Sequence, residues 1–371
     1  LFLHRSLEMT ADAMGPDGKA YQRILQPFVD HREKLLADIL KPLHFPENPL
    51  LMSRFAFYAM RSLRNLVETE FQSDRTRAFF AGLAAHAMIP LERTATAAFG
   101  IVLAVLAHGV GWPIIRGGSQ KLADALADCF RGGGGEIVTG RRIAAADQMP
   151  RAASYFFDVT PRQLINIEGL GLSAGYRRRL ARFRYGPGVC KVDWALRAPI
   201  PWKADICRKA GTVHLGGSLE EISSSLRDVS AGKMPSSPYI VLAQQSLFDP
   251  SRAPVGGHTA WAYCHVPHGS AADGSALVED RIERYAPGFR DVILGKHVLS
   301  AAAMEQYNAN YVGGDINGGV QDLLQLYTRR VAALNPYRTS VPNVYICSSS
   351  TPPGGGVHGL CGYFAARGLG G

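Results

Sequence analysis

Apolar positions along the first third of the chain recur at helical spacing. Across residues 21–40, Leu25, Phe28, Leu35, Leu36 and Ile39 fall near one face, which predicts a helix. Pro42, Pro46 and Pro49 then impose a loop. Helical patterns resume over 51–67 and 73–88. Between 94 and 115 the only ionisable side chain is His108, and a run of that length would span a bilayer. It also holds Gly100, Gly109, Gly111 and Pro113, with Arg93 and Arg116 at its edges. The expectation is therefore a buried helix lining a cavity, with contact to a membrane surface left open.

The pattern changes at Gly117. Gly117-Gly118-Ser119 opens a predicted helix over 120–130, and the glycines at 132–135 end it. Short strands are predicted over 136–139 and 153–159, the second ending in Asp158-Val-Thr-Pro161. This alternation belongs to α/β architecture. Further strands are expected over 189–196, 211–215, 239–245 and 259–265, with polar helices between them. They imply an antiparallel or mixed sheet in an α+β domain. A last strand over 341–347 runs through a Gly-rich turn into a helix over 357–367. No internal repeat is seen.

Composition narrows the class. With 371 residues, 47% hydrophobic and 19% charged, the chain can build two domains or one large one around a substantial core. The net charge of +9 is scattered. Its densest cluster, Arg177, Arg178, Arg179, Arg182 and Arg184, reads as a solvated helix face, and no nucleic-acid motif accompanies it. The six cysteines form no CxxC pair and no zinc-like spacing. They are expected to be reduced, mostly buried thiols of a cytoplasmic protein, with no metal. The chain opens at Leu1 in a helix already under way, without signal-peptide features, and this end reads as a cut edge.

The strongest chemical signal is Ser348-Ser-Ser-Thr-Pro-Pro-Gly-Gly-Gly-Val-His-Gly-Leu-Cys-Gly362. Glycines let a ligand approach the backbone, and a helix start favours an anion or electron-rich carbonyl. A reduced flavin suits such a place; an ordinary tight turn is the plain alternative. The Gly117-Gly118 helix and the strand after it could likewise be a common α/β crossover. No Ser-His-Asp order, Walker loop or metal cluster competes.

Taken together, the motifs resemble the phytoene-desaturase-like branch of the amine-oxidase-type flavoproteins. The likeness rests on Trp112-Pro-x-x-x-Gly-Gly118, Phe157-Asp-Val-Thr-Pro-Arg-Gln163 and Phe183-Arg-Tyr-Gly-Pro-Gly188. It extends to Lys191-Val-Asp-Trp194, Val213-His-Leu-Gly-Gly217, Trp261-Ala-Tyr-Cys-His265, Tyr311-Val-Gly-Gly-Asp-Ile-Asn-Gly-Gly319 and the C-terminal block. The resemblance implies an incomplete FAD-binding Rossmann-like domain with an inserted substrate domain, helical in part and sheet in part. The FAD domain would use residues 111–165 and 330–371, and residues 1–110 and 166–329 would enclose the substrate. By similarity Gly117, Gly118, Ile143, Thr160 and Pro161 would serve the cofactor. So would Gly355, Gly356, Val357, His358 and Gly359, with the ring at the helix start, while Gly313, Gly314 and Asp315 would approach it from the substrate side. Family members open with a strand and GxGxxG, and this sequence has no such unit.

The resemblance also implies hydride transfer from an apolar isoprenoid, carotenoid or lipid-like substrate to FAD, with the electron acceptor unspecified. Asp315 and His358 are the candidate proton-handling residues; a turn-stabilising Asp and a packing His are the alternatives. His86, His108 and His265 are expected to be satisfied structural histidines. Trp261, Tyr263 and Phe248 are expected in core packing, with tunnel lining as the other reading. A flavin-dependent isomerase, or an incomplete chain inactive by itself, remain alternatives.

Overall fold

The computed structural model describes residues 1–328 and 335–368. Residues 330–334 and 369–371 of the expected C-terminal FAD segment lie outside the described residues. Seven helices come first: α1 Leu7–Ala13, α2 Gly18–Asp30, α3 Arg32–Ile39, α4 Pro49–Ala59, α5 Leu63–Glu70, α6 Asp74–Ala84 and α7 Thr96–Gly109. Serines set several starts. Ser6, Ser62 and Ser73 accept the N–H of Met9, Asn65 and Arg75, satisfying donors that a helix start leaves open.

Three expectations in this region need correction. The helix over 21–40 breaks at His31, whose φ of −115° and ψ of 29° leave the helical region. The helix over 51–67 is two helices, because Ser62 turns extended and caps α5. The apolar run over 94–115 is helical only to Gly109. Among the described residues no helix is long and apolar enough to cross a membrane.

Then follow α8 Gln120–Gly132, β1 Tyr155–Phe157, α9 Pro161–Ile165, α10 Ala174–Ala181, β2 Gly188–Leu196, β3 Val213–Leu215, α11 Leu219–Ser230, β4 Ile240–Ala243 and β5 His258–Val266. The chain continues with α12 Ser275–Tyr285, β6 Ile293–Leu299, α13 Ala301–Tyr307, α14 Leu323–Thr328, β7 Val344–Ile346 and α15 Leu360–Arg367. The predicted strand over 136–139 does not form. A strand needs a neighbour for its backbone groups, and none pairs with it among the described residues. β6 was missed, its alternation hidden by Gly295 and its largely exposed pattern.

Five strands form an antiparallel sheet in the order β3-β4-β5-β2-β6. Its two faces separate by the two-residue period of the strand. Val241, Trp261 and Tyr263 meet the helical core of Tyr21, Phe28, Leu66 and Phe80. Cys190, Val192, Trp194, Leu242, Ala262 and Cys264 meet α12 through Val278 and Ile282. Each fully buried side chain of this kind contributes about 1.5–3 kcal/mol. Apart from this sheet, β1 and β7 pair in parallel, Tyr155 opposite Val344, over a cluster of Leu164, Ile167, Leu180 and Ile346. Mixed α/β architecture with both parallel and antiparallel pairing is thus present.

Candidate active site

The loop after α13 is where distant segments meet. Its turn Val312–Gly314 is followed by Asp315, which is 1% exposed. The Asp315 carboxylate accepts three backbone N–H groups, from Gly186 at 2.7 Å, Asn317 at 2.8 Å and Gly319 at 2.9 Å. Burial raises its pKa, and these three bonds oppose the rise. His268 Nδ1 lies 2.8 Å from the Gly186 carbonyl, and Gly269 N–H donates to the Gly313 carbonyl. Asp315 therefore closes a knot joining the loop to the start of β2.

Three further segments touch the same loop. Ser350 Oγ donates to the Gly318 carbonyl at 2.7 Å, and a methyl group on Gly355 would come 3.2 Å from the Asn317 carbonyl. The Thr160 N–H donates to Asn310 Oδ1 at 2.9 Å, and Pro161 starts α9 beside it. Asn317 Nδ2 donates to Met88 Sδ at 3.0 Å, which ties in the helical part. Thr160, Pro161, Gly314, Asp315 and Gly355 are in this way brought together. Glu305 belongs here too; it accepts the Gly313 N–H and pairs with Arg162. Sequence reasoning missed Glu305 and His268, which lie outside the glycine motifs.

The C-terminal block is buried at Ser348, Ser350, Thr351 and Cys361 and exposed at Gly355, Gly356, Val357 and Gly359. Val357 is 92% exposed, and a methyl group on Gly359 would meet no atom within 4 Å. α15 starts at Leu360, so residues 357–359 precede the helix they were expected to open. His358 Nδ1 accepts the Leu360 N–H at 3.0 Å, which places the proton of a neutral ring on Nε2. Burial lowers the His358 pKa, and the Gly354 carbonyl opposes it.

Gly117, Gly118 and Ile143 go elsewhere. The Gly117 N–H donates to Asp249 Oδ2 at 2.6 Å, and Gly118 faces the Arg252 guanidinium, both on the antiparallel-sheet side. Ile143 is half-buried beside Ala144, whose carbonyl accepts the Glu168 N–H. α8 buries none of its residues, although Leu122 and Leu126 share one face.

A cavity of about 550 Å³ lies between the helices and the sheet domain, with Phe79, Leu83, His86, Trp112, Ile206 and His214 among its walls. His86 Nε2 and His214 Nε2 are 3.0 Å apart, so the pair can hold one proton between them and the rings are neutral. Burial pushes His86 down to about 4. The turn that carries His86 leads to Met88, and so to Asn317 of the Asp315 loop. His108 is satisfied as expected, by Tyr21 Oη at 2.6 Å and the Arg5 carbonyl. His265 is not: it is 1% exposed and neither ring nitrogen has a hydrogen-bond partner among the described residues. Trp261 and Tyr263 stack, with ring centroids 6.1 Å apart, and pack on the helical core. Phe248 is 44% exposed and lies outside it.

No family model matches the chain. It is 26% identical over 303 residues to rat pyridine nucleotide-disulfide oxidoreductase domain-containing protein 2, covering 69% of this chain and 50% of that protein. The mouse protein of the same name is 25% identical over the same length. The chain thus spans about half the length of the curated relatives it matches. Among solved structures, an oxidoreductase from Methanosarcina mazei superposes with a TM-score of 0.55 at 17% identity, over 86% of this chain and 70% of that one. A double mutant of putrescine oxidase gives 0.56 at 13% identity, over 94% and 74%. The two curated relatives support an oxidoreductase likeness. At these structural identities the neighbours speak for the fold.

Proposed function

We propose that the chain is the greater part of an FAD-dependent dehydrogenase of the phytoene-desaturase-like type, acting on an apolar isoprenoid, carotenoid or lipid-like substrate. The observation that carries this reading is the convergence on Asn317. Its carbonyl faces the exposed Gly355 of the C-terminal block, and its amide reaches Met88, at the end of the turn that walls the cavity. A ring held by the glycines would thereby be linked to the cavity through Asn317, Met88 and the wall residue His86.

The residues present fit the flavin end of FAD. Gly355, Gly356 and Gly359 are exposed and carry no side chain, and the buried His358 Nε2 beside Gly356, which has no hydrogen-bond partner among the described residues, would be the polar group nearest them. When bound, FAD would supply the hydride-accepting centre. The cavity walls would exclude water and orient an apolar substrate, with the neutral His86–His214 pair as polar contact. Asp315 belongs to the reading as a positioning residue, since its carboxylate is committed to three backbone donors.

The adenosine and pyrophosphate end is not served by Gly117 and Gly118, which dock on Asp249 and Arg252. A further dinucleotide-binding unit covering α8 would supply it; the bare apolar face of α8 and the half-length match both support this. Visible absorption after FAD addition and removal of unbound cofactor tests the reading. A flavin band is expected once a GxGxxG unit is joined to the chain, and its absence from that joined protein would sink the proposal. Peripheral contact with a membrane, from which such a substrate would partition, belongs to the same reading. Co-sedimentation with vesicles checks it.

A further inference from the structure

Cys190 on β2 and Cys264 on β5 stand directly opposite each other in the antiparallel register. Both side chains belong to the face covered by α12, and the residues are 0% and 1% exposed. Their sulfurs converge on one point of the backbone. A methyl group on Gly274 would lie 3.4 Å from Cys190 Sγ and 3.5 Å from Cys264 Sγ. The Gly274 N–H itself donates to Cys190 Sγ at 3.4 Å. Directly opposed residues of antiparallel strands have Cα atoms about 4.5–5.5 Å apart. A disulfide spans about 4.4–6.8 Å between Cα atoms, so the register brings the pair within bonding reach without moving the strands.

We propose that Cys190 and Cys264 are a peroxide-oxidisable dithiol that closes to a cross-strand disulfide. The two thiols are unequal. Hydrogen bonding from Cys264, with the Gly274 N–H, holds Cys190 below the usual thiol range despite burial. Its bond to Cys190, with burial, holds Cys264 well above that range. The Gly274 N–H, which donates to Cys190 Sγ, singles out Cys190 as the attacking group. Its thiolate attacks one oxygen of hydrogen peroxide, the O–O bond breaks, and hydroxide leaves and takes up a proton as water. The Cys190 sulfenic acid so formed is attacked by the Cys264 sulfur as it loses its proton. The S–O bond breaks, a second water leaves, and the S–S bond forms. The thiols lose two electrons and two protons, and peroxide is reduced to two waters.

The buried Gly274, at the end of the largely exposed loop over 267–273, is the backbone that covers both sulfurs, and peroxide would have to enter beside it. Cys347 does not compete, because burial pushes its thiol up to about 12. Cys129 is exposed and serves as an internal control for reaction between chains.

The test is peptide mapping of the intact chain after native treatment with excess hydrogen peroxide. Remaining thiols are alkylated in denaturant and the chain is digested without reductant. The expected result is a crosslinked pair of peptides carrying residues 190 and 264 in most monomeric chains, released by dithiothreitol. In Cys264→Ser, dimedone should instead trap a sulfenic acid on Cys190. Full alkylation of both cysteines in the treated chain, or oxidation of Cys190 to sulfinic acid without a crosslink, overturns the proposal. The map of the unaltered chain decides by itself if the variant does not fold.

Discussion

Asp315 Oδ2 accepts the backbone N–H of Gly186 at 2.7 Å, across 129 residues of sequence. The bond fixes the glycine-rich loop after α13 to the entrance of β2. That loop in turn carries the contacts to Ser350, Gly355 and Met88. A buried carboxylate therefore helps to fix the loop on which these segments converge.

Asp315→Asn tests that role. Two carboxylate oxygens face three N–H donors, and an amide can offer only one acceptor oxygen. At least one donor is left facing the new NH₂ group. The expected loss is about 1–3 kcal/mol of stability, read from the urea midpoint. If the carboxylate were a free catalytic base instead, the midpoint would stay put while turnover fell.

Gly314→Ala should be as damaging by a different route. Gly314 has a φ of 81°, and an added Cβ would lie 2.5 Å from Ala301 Cβ and 2.7 Å from Ala301 Cα on α13. Backbone strain and overpacking together predict a loss of about 2–4 kcal/mol. A midpoint within error of the parent would show that the loop does not pack on α13 as described.

Much of this was legible because local rules and global packing agree. A helix is expected from Ser73, which caps α6, and the alternation in Thr259–Ala–Trp–Ala–Tyr–Cys–His265 matches the two faces of β5, whereas the start at Ser62 is not among the expected ones. The glycines at 313 and 314 and the aspartate after them could be picked out as a loop of special conformation. The destination of that loop could not, since its partners Gly186, Ser350 and Met88 are set by tertiary contact. The segment 136–139 misled for a related reason: its residues favour a strand, but pairing needs a neighbour that propensity does not reveal. Phe248 misled because aromatic character was read as burial.

Acid should destabilise the fold before the carboxylates titrate. Burial pushes His86 down to about 4 and His265 down to about 3, and His214 well below its ordinary value, with the charge of His86 adding to the effect. In the unfolded chain these groups titrate near ~6.5. Between about pH 6.5 and about 4 the unfolded chain binds protons that the native chain does not, so stability falls as pH falls through that window. Above it the three histidines contribute no slope. Urea midpoints at pH 7.5 and 5 check the sign. His265→Leu removes a buried imidazole with no hydrogen-bond partner among the described residues, so its midpoint should hold or rise and its acid slope should flatten. An unchanged slope would mean that His265 is protonated in the native state.

The last prediction concerns α8, whose sequence spaces Leu122 and Leu126 on one face while the structure buries neither; they are 36% and 65% exposed. In an ordinary amphipathic helix such positions carry the packing energy, and lysine there would be costly. Here Leu122→Lys with Leu126→Lys should change the stability of this chain by no more than about 0.5 kcal/mol and reduce self-association in light scattering. The same pair should weaken flavin retention once a dinucleotide-binding unit is joined to the chain, because that unit would have to cover the substituted face. Loss of stability in the chain by itself would mean that α8 is already packed. Unaltered flavin retention in the joined protein would mean that the unit docks elsewhere.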